Sequence, residues 1–488
     1  MILIAIGLVL IAPIIVAVIY SEYYAIPSFL IPMMIGLSIG LVVCKDLGFP
    51  VKLTLVDAMA ISSIGWLIAA ALSSIPYFMV LNMRPLDAYF EAFSSLTTTG
   101  MTLIPRLEEI PKSILFWRAL GQWIGGAGVV LITTLLLFGR EGIIAWRLYV
   151  AEAREERLAP TVRDTVKNIW LIYTFYTVAC AIVLMILGLK PFDAICHALT
   201  CLSTGGFSTR TNNIGAFNNL AVEVALMVFM IIGAVRFSLH YKMFTGDVKS
   251  FVKDLEFKTF ILILVVSSLI ASMDLMFKYH MSLEEAFRIG FFHTISVGTT
   301  TGFTTSDLAT FPSLSKAVLL ILMIIGGCMN STAGGIKVWR LATLVKIAKH
   351  EIEKILIPPE AVRSLKLGGK ALKESEIIRV ASFFFMYIIF ALVATSVMMF
   401  FEGDFVGCMS GAFSAMATVG PFYASPLTFS FESKIVLIIS MWAGRLELIP
   451  VLLLFVPKLW RGGHRTMRGV ITSLQKPEVK LSKLIFGC

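Results

Sequence analysis

The sequence predicts an all-α protein that crosses a membrane many times. Two N-terminal helices precede four related repeats, which we expect to surround one pseudo-fourfold axis. Composition, long apolar segments and internal repetition support this fold class. Of the 488 residues, 58% are hydrophobic and 15% are charged, with a mean hydropathy of +0.87. Because soluble domains are about a quarter charged, this composition is typical of a chain surrounded by lipid.

Several apolar segments approach or exceed the roughly 20 residues that a transmembrane helix needs. The ten predicted spans cover about 2–20, 29–44, 56–82, 113–138, 168–189, 217–239, 258–277, 313–330, 377–401 and 433–457. No basic region precedes the first segment, and no small-residue cleavage site follows it. We therefore interpret it as a retained helix rather than a signal peptide.

The distribution of charge predicts the orientation in the membrane. The chain has a formal net charge of +10. If the ten spans alternate in direction, the side with both termini carries the whole basic excess and the other side is net negative. Basic residues concentrate on the cytoplasmic side of membrane proteins, so we expect both termini to be cytoplasmic and the protein to lie in the cell membrane. Since topology explains the basic excess, it does not indicate nucleic acid as a partner.

Four polar loops share a Thr-x-Gly triplet. The triplets are Thr98-Thr99-Gly100, Thr204-Gly205-Gly206, Thr300-Thr301-Gly302 and Thr418-Val419-Gly420. Each follows an apolar span and a short amphipathic segment, the four segments being 86–96, 191–202, 282–297 and 404–416, and each precedes a second apolar span. At 1.5 Å per residue a short segment cannot cross the bilayer. Each loop is therefore predicted to enter the membrane and return on the outer side.

The repeats divide the chain into six predicted regions. They are a two-helix extension (1–50), repeat 1 (51–140), repeat 2 (141–245), repeat 3 with an interrupted inner helix (246–350), repeat 4 (351–457) and a basic cytoplasmic tail (458–488).

This arrangement favours a cation pore. Non-helical backbone at membrane depth is tolerated where it is buried in protein or lines a wet cavity, and rings of carbonyl oxygens can replace the hydration shell of K⁺. Glycine allows the required backbone angles, while the C-terminal ends of the short helices favour a positive charge. One such loop alone is compatible with an ordinary turn, but four equivalent loops favour a filter. We expect the twelve triplet residues to bind K⁺.

Further motifs resemble the Trk/Ktr/HKT superfamily of K⁺ transporters, specifically the TrkH type. They are Trp123-Ile-Gly-Gly-Ala-Gly128, Arg236-Phe-Ser-Leu-His-Tyr241, Gly326-Gly-Cys-Met-Asn-Ser-Thr-Ala-Gly-Gly-Ile-Lys337 and Gly444-Arg445-Leu446-Glu447. The resemblance covers essentially the whole chain and implies K⁺ transport by a homodimer. In this family a glycine at the position of Gly100 goes with K⁺ selectivity, whereas a serine goes with Na⁺ permeation in some plant relatives.

Small and polar residues interrupt the third inner span. They are Gly326, Gly327, Ser331, Thr332, Ala333, Gly334 and Gly335, with Lys337 near the end of the interruption. The pattern fits close helix packing or a loop across the pore. The resemblance implies the second, a gate below the filter. No Ser or Thr follows Lys337 and no strand precedes the motif, so it is not a phosphate-binding loop.

Arg445 is a charged residue within the last apolar span. An intramembrane charge is a functional candidate by default. Its side chain either forms a structural bridge to another helix or, as the resemblance implies, faces the pore below the filter, where it would limit cation flux.

Dense mixed charge in segments 140–167 and 337–379 is typical of a surface that contacts solvent or lipid headgroups. The resemblance adds docking of a TrkA-like cytoplasmic nucleotide-binding regulatory subunit. No GxGxxG motif in a βαβ context occurs in this chain, so a separate polypeptide would have to bind the nucleotide. We expect no covalently bound cofactor, with K⁺ as the transported ion.

The alternative function is the K⁺-translocating subunit of an ATP-driven pump complex, which shares this pore plan. An enzyme is not expected, since the sequence contains no HExxH motif, no GxSxG motif and no plausible cluster among its six histidines.

Overall fold

A computed structural model describes residues 2–47, 54–128, 161–356, 365–368 and 370–460. Their regular secondary structure is helical, apart from one small antiparallel hairpin in which Lys366–Leu367 pairs with Lys370–Ala371. The N-terminal extension consists of helices Ile2–Val9, Ile11–Ile19 and Ile26–Leu47, with a single 3₁₀ turn at Tyr23–Ala25.

Four units follow, each with a long outer helix, a short helix and an inner helix. The outer helices are Leu55–Leu81, Val162–Ile186, Leu255–Tyr279 and Glu374–Glu402. The short helices are Pro85–Leu96, Pro191–Leu202, Leu283–Gly298 and Phe405–Ala417. The inner helices are Lys112–Ala127, Leu220–Ala234, Ser313–Ile325 and Phe431–Arg445. The polar loop that contains each triplet joins the short helix to the inner helix, as the sequence predicts.

Shorter elements complete the described chain. Single 3₁₀ helices lie between each polar loop and its inner helix, at Leu107–Glu109, Asn213–Phe217, Leu308–Thr310 and Pro426–Thr428. The remaining helices are Phe237–Phe244, Lys249–Lys253, Val338–Ile355, Ile449–Leu453 and Pro457–Trp460.

Local sequence explains where the short helices begin. Pro85 and Pro191 occupy the first helical position of units 1 and 2, where proline has no amide bond to lose. In unit 3 the Ser282 side chain accepts a hydrogen bond from the Glu285 amide at 3.2 Å. In unit 4 Asp404 accepts from the amides at the helix start. Such caps satisfy amides that otherwise lack partners.

The structure breaks two inner spans that the sequence pattern predicted as continuous, the second and the fourth. Among the described residues, six helices are long and apolar enough to cross a membrane, or seven if one bent pair is counted. The second inner helix bends by 100° after Ala234, the third ends before Gly326, and the fourth ends at Arg445. The interruption of the third follows the predicted run of small and polar residues, whereas the sequence pattern missed the breaks in the second and fourth because their predicted apolar spans continue past them. The second half of predicted span 113–138, beyond Gly128, lies outside the described residues.

Other predicted regions are only partly visible. The charged segment 140–167 is described from residue 161 onward, and the basic tail 458–488 is described only to residue 460.

Polar contacts join each unit to the next. Lys434 of unit 4 pairs with Asp87 of unit 1 at 2.8 Å. Arg288 of unit 3 pairs with Glu223 of unit 2 at 2.7 Å. The Tyr423 hydroxyl of unit 4 donates to the backbone carbonyl of Lys316 in unit 3. These contacts, together with a unit 1 to unit 2 bond described below, place the four units in sequence around one axis.

Candidate ion pathway

The four Thr-x-Gly triplets share one backbone conformation. The first residue of each has a positive φ, at 58° for Thr98, 51° for Thr204, 57° for Thr300 and 53° for Thr418. The glycine that ends each triplet also has a positive φ, at 85° for Gly100, 74° for Gly206, 82° for Gly302 and 105° for Gly420. A positive φ is uncommon for threonine, so its recurrence at four equivalent positions indicates a structural constraint on the loops.

The same hydrogen bond sets this conformation in every unit. The amide of the middle triplet residue donates to a carbonyl in the last turn of the short helix. The four bonds are Thr99 N to Ser94 O (2.9 Å), Gly205 N to Thr200 O (2.9 Å), Thr301 N to Ser296 O (2.8 Å) and Val419 N to Ser414 O (2.9 Å). Each loop is therefore attached to the end of its own short helix in the same way.

The four loops meet in a closed ring. The glycine of each triplet lies against the middle carbonyl of the following loop, and the fourth lies against the first. A Cβ built on Gly100 would lie 2.2 Å from Gly205 O, on Gly206 2.1 Å from Thr301 O, on Gly302 1.9 Å from Val419 O, and on Gly420 2.4 Å from Thr99 O. No side chain fits at any of these four contacts, which we call the seams of the ring.

Side chains of the first triplet position differ in their partners. The buried hydroxyls of Thr98 and Thr418 have no hydrogen-bond partner among the described residues. The Thr300 hydroxyl accepts from the Gly334 amide at 2.8 Å, and the Thr204 hydroxyl donates to Ser203 O at 2.7 Å. The hydroxyls of Thr98 and Thr418 are therefore free to bind another ligand. Because an unsatisfied buried hydroxyl is costly, such a ligand would stabilise them.

Side chains of the middle position support the loops from behind. The Thr99 hydroxyl contacts that of Thr97 at 2.8 Å, and the Thr301 hydroxyl contacts that of Thr299 at 2.8 Å. Val419 is fully buried in an apolar cluster. These three side chains thus act on the backbone of their own loop.

The interruption of the third inner helix forms a loop beneath the ring. This segment, residues 326–337, will be called the intramembrane loop. A Cβ on Gly334 would lie 2.0 Å from Ala417 O and 2.4 Å from Thr418 Oγ1. The Thr332 hydroxyl contacts Leu202 O at 3.0 Å and Gly233 O at 2.9 Å. The intramembrane loop therefore contacts units 2, 3 and 4 at the base of the ring.

Both ends of the intramembrane loop are held in place. Its return is fixed by bonds from Ile336 N to Ile324 O at 3.0 Å and from Lys337 N to Ile325 O at 2.8 Å. The buried Glu256 carboxylate accepts from Met329 N at 2.7 Å and from Trp339 N at 3.2 Å. Sequence reasoning missed Glu256, which lies in the outer helix of the same unit, 73 and 83 residues before its two partners, with no local signal to mark it.

A cavity below the ring brings together the predicted gate residues. Its lining includes Ser331, Ala333, Gly334, Lys337, Thr418 and Arg445. Thr332 is fully buried beside it, while Gly326 and Gly327 lie at the start of the loop, where Gly326 packs against Gly334 and Gly335.

Two cations lie at this cavity, and both bind backbone carbonyls. Arg445 donates to the carbonyls of Gly125 and Gly126 at the end of the first inner helix. Lys337 donates to the carbonyl of Ala333. Arg445 thus forms a bridge to another helix while also lining the cavity, so the two readings of this residue are compatible.

Glu447 forms an ion pair with Arg340, whose helix follows the intramembrane loop. Glu447 and Arg445 line the same cavity.

Comparison with known proteins decides the family. The sequence profile of TrkH, described as a cation transport protein, matches residues 51–462. The chain belongs to the TrkH family. The predicted resemblance to TrkH-type proteins is thereby confirmed.

Individual TrkH-family relatives match over most of their length. The Trk system potassium uptake protein TrkH of Vibrio parahaemolyticus is 36% identical over 420 residues, which cover 83% of this chain and 86% of that protein. The Trk system potassium uptake protein TrkG of Escherichia coli is 32% identical over 93% of this chain and 96% of that protein. The crystal structure of the potassium transporter TrkH from Vibrio parahaemolyticus superimposes with a TM-score of 0.83 and 32% identity, covering 94% of this chain and 97% of that chain.

An ion pair behind the ring was not predicted from this TrkH-family sequence. Arg118 and Glu91 are 1% and 0% exposed, and their charged groups lie 2.8 Å apart. Arg118 also donates to Ser208 O of the second loop at 3.2 Å, and Glu91 accepts from Leu103 N of the first loop at 2.9 Å. The pair therefore joins loops 1 and 2 behind the ring.

Removing one member of this pair should destabilise the protein more than removing both. Arg118→Met or Glu91→Gln leaves a buried charge or an unsatisfied partner, at a cost of about 3–5 kcal/mol in the free energy of unfolding. We expect each single variant to lower the thermal midpoint of the detergent-solubilised protein, and the double variant to lose less stability than either single variant.

Arg106→Ala is the matched control, because the Arg106–Glu109 pair is exposed and such pairs contribute little. Strictly additive losses would contradict direct coupling between Arg118 and Glu91.

Proposed function

We propose that this protein mediates K⁺ uptake across the cell membrane through the ring of four loops. The main observation behind this proposal is that the four loops close into one ring through the four seams. Rings of oxygen ligands in a narrow path can replace the water around K⁺, and the ring lies where the short helices direct the negative ends of their dipoles. The TrkH and TrkG relatives named above are potassium uptake proteins, which supports K⁺ as the transported ion.

The twelve triplet residues serve this function in two ways. Backbone carbonyls, with the unpartnered hydroxyls of Thr98 and Thr418, supply oxygen ligands. The side chains of Thr99, Thr301 and Val419 hold the backbone in place. Gly100, Gly206, Gly302 and Gly420 allow the loops to approach at the seams, where a larger residue would force them apart.

The intramembrane loop acts as the gate. It lies directly below the ring and is attached to it by the bond between Gly334 and Thr300. Opening requires this contact, or those of Thr332, to break. The positive charges of Lys337 and Arg445 at the same level lower the occupancy of cations below the filter.

A cytoplasmic nucleotide-binding subunit of the TrkA type controls the gate, and the transporter functions as a homodimer with both termini in the cytoplasm. The naming of relatives as components of a Trk system supports a regulatory partner. The helix Val338–Ile355 connects the intramembrane loop to the predicted docking surface, so force applied there reaches the gate through one rigid element. No observation favours the pump-subunit alternative.

Isotope flux into liposomes tests the function directly. Purified protein, reconstituted with imposed K⁺, Na⁺ and pH gradients in turn, should conduct K⁺ in preference to Na⁺ without ATP hydrolysis. In Gly100→Ser the new Cβ would meet Gly205 O at 2.2 Å, so we expect the K⁺/Na⁺ flux ratio to fall by about tenfold or K⁺ flux to be lost.

Gly403→Ser is the control for backbone strain. Gly403 also has a positive φ, of 72°, but a Cβ there meets nothing within 4 Å, so this variant should keep the wild-type ratio. Equal Na⁺ and K⁺ flux in the wild-type protein would refute a K⁺ filter.

Neutralising Arg445 should increase K⁺ flux. We expect Arg445→Gln and Arg445→Ala each to raise flux in the same vesicles, on the order of tenfold, because a unit charge near the path repels K⁺. Glutamine keeps a neutral N–H donor in place of the charged guanidinium, so this variant removes the charge while retaining a polar side chain. Unchanged or lower flux in Arg445→Gln would show that Arg445 acts only as a structural bridge.

A further inference from the structure

The second loop of the ring lacks a side chain that the other three loops possess. At the middle triplet position Thr99, Thr301 and Val419 fill the space behind the backbone, whereas Gly205 leaves it empty. Glycine is also the residue with the greatest conformational freedom. The second loop therefore needs another source of support to match the geometry of its neighbours.

Gln122, from the first inner helix, fills the vacant space. A Cβ built on Gly205 would lie 2.4 Å from both Cδ and Oε1 of Gln122, and 2.8 Å from its Nε2. The Gln122 side chain is 0% exposed. One carboxamide thus occupies the position that a side chain of residue 205 would take.

Both ends of this carboxamide bind the second loop. Gln122 Nε2 donates to Gly205 O at 2.7 Å, and Gln122 Oε1 accepts from Phe207 N at 3.1 Å. The bonds fall on either side of Gly206, so they fix the direction of the backbone through the triplet. A residue that only filled space would not need this pair of contacts.

The bond to Gly205 O also makes the ring unequal. The middle carbonyls of the loops lie at the seams, and within the described chain those of Thr99, Thr301 and Val419 receive no hydrogen bond from protein. Among the four middle carbonyls of the described loops, Gly205 O is the one that accepts a hydrogen bond, from Gln122 Nε2. It is consequently a weaker ligand for a cation than its three counterparts.

We propose that Gln122 is a positioning residue that sets the ion selectivity of the filter. It replaces the missing side chain of the second loop, holds Gly205 O at the seam with Gly100, and weakens that carbonyl as a ligand. This inference rests on the proposed K⁺ function. It adds a residue from outside the four Thr-x-Gly triplets to the set that controls discrimination between ions.

Substitution of Gln122 should alter the ratio of ions transported. Gln122→Met retains much of the volume but removes both hydrogen bonds. We expect the K⁺/Na⁺ flux ratio in liposomes to fall by about fivefold, the order of effect of one hydrogen bond of ordinary strength, because only the bond to Gly205 O acts on a seam carbonyl. The wild-type ratio in a folded, monodisperse Gln122→Met protein would overturn the proposal.

Thr177→Val is the matched control. It removes a partly buried hydrogen bond between Trp123, the neighbour of Gln122, and the second outer helix. Thr177 contacts no residue of the ring through this bond, so its loss should leave the K⁺/Na⁺ ratio unchanged even if the amount of folded protein falls.

A single and a double substitution test the positioning role of Gln122 independently of Gln122→Met. Gly205→Thr would place a side chain within the Gln122 carboxamide, and we expect K⁺ flux to fall at least tenfold. In Gln122→Ala/Gly205→Thr the space is free, and the new hydroxyl lies two residues from Ser203, as Thr99 lies two residues from Thr97. We expect most of the K⁺ flux and the K⁺/Na⁺ ratio to return.

The outcomes separate this inference from the proposed function. If the wild-type protein does not select K⁺, the proposed function fails. If the wild-type protein selects K⁺ but the Gly205→Thr single variant and the Gln122→Ala/Gly205→Thr double variant are equally impaired, the positioning role of Gln122 is refuted. Recovery in the double variant supports it.

Discussion

The contact between a glycine and a neighbouring carbonyl, repeated at four seams, is the constraint on which the rest of the structure depends. Gly100, Gly206, Gly302 and Gly420 each lie so close to the next loop that no Cβ fits. Such contacts require loops of one conformation, and this in turn requires short helices that end at the same depth. A glycine of the first inner helix likewise allows that helix to pack closely against the first short helix, since a Cβ on Gly125 would lie 1.8 Å from Leu96 O.

Within this nearly symmetric arrangement, the units differ at the places to which the proposed function assigns control. In unit 2 the support behind the loop comes from Gln122 rather than from the loop itself. In unit 3 the inner helix opens into the intramembrane loop, which Glu256 holds at both ends. In unit 4 Arg445 reaches across to the end of the first inner helix. Under the proposed function, the ring therefore determines selectivity, and features present in single units determine passage below it.

Sequence alone could predict the elements that repeat or that have a local signal. The Thr-x-Gly triplets, the short helices and the interruption after Ile325 follow from spacing, length and glycine content. Gln122, Glu91, Arg118 and Glu256 could not be predicted, because their partners are distant in sequence and become neighbours only when the units close. The breaks after Ala234 and Arg445 were missed since apolar composition continues through them, while tertiary contacts satisfy the freed backbone groups.

The location of bound ions tests the central claim most directly. Rb⁺ is a close substitute for K⁺ and has a usable anomalous signal, so crystals grown in Rb⁺ would report its position. The account predicts anomalous peaks on the axis enclosed by the four seams, between Gly100, Gly206, Gly302 and Gly420. Ordered Rb⁺ elsewhere in the protein, with none on this axis, would contradict it.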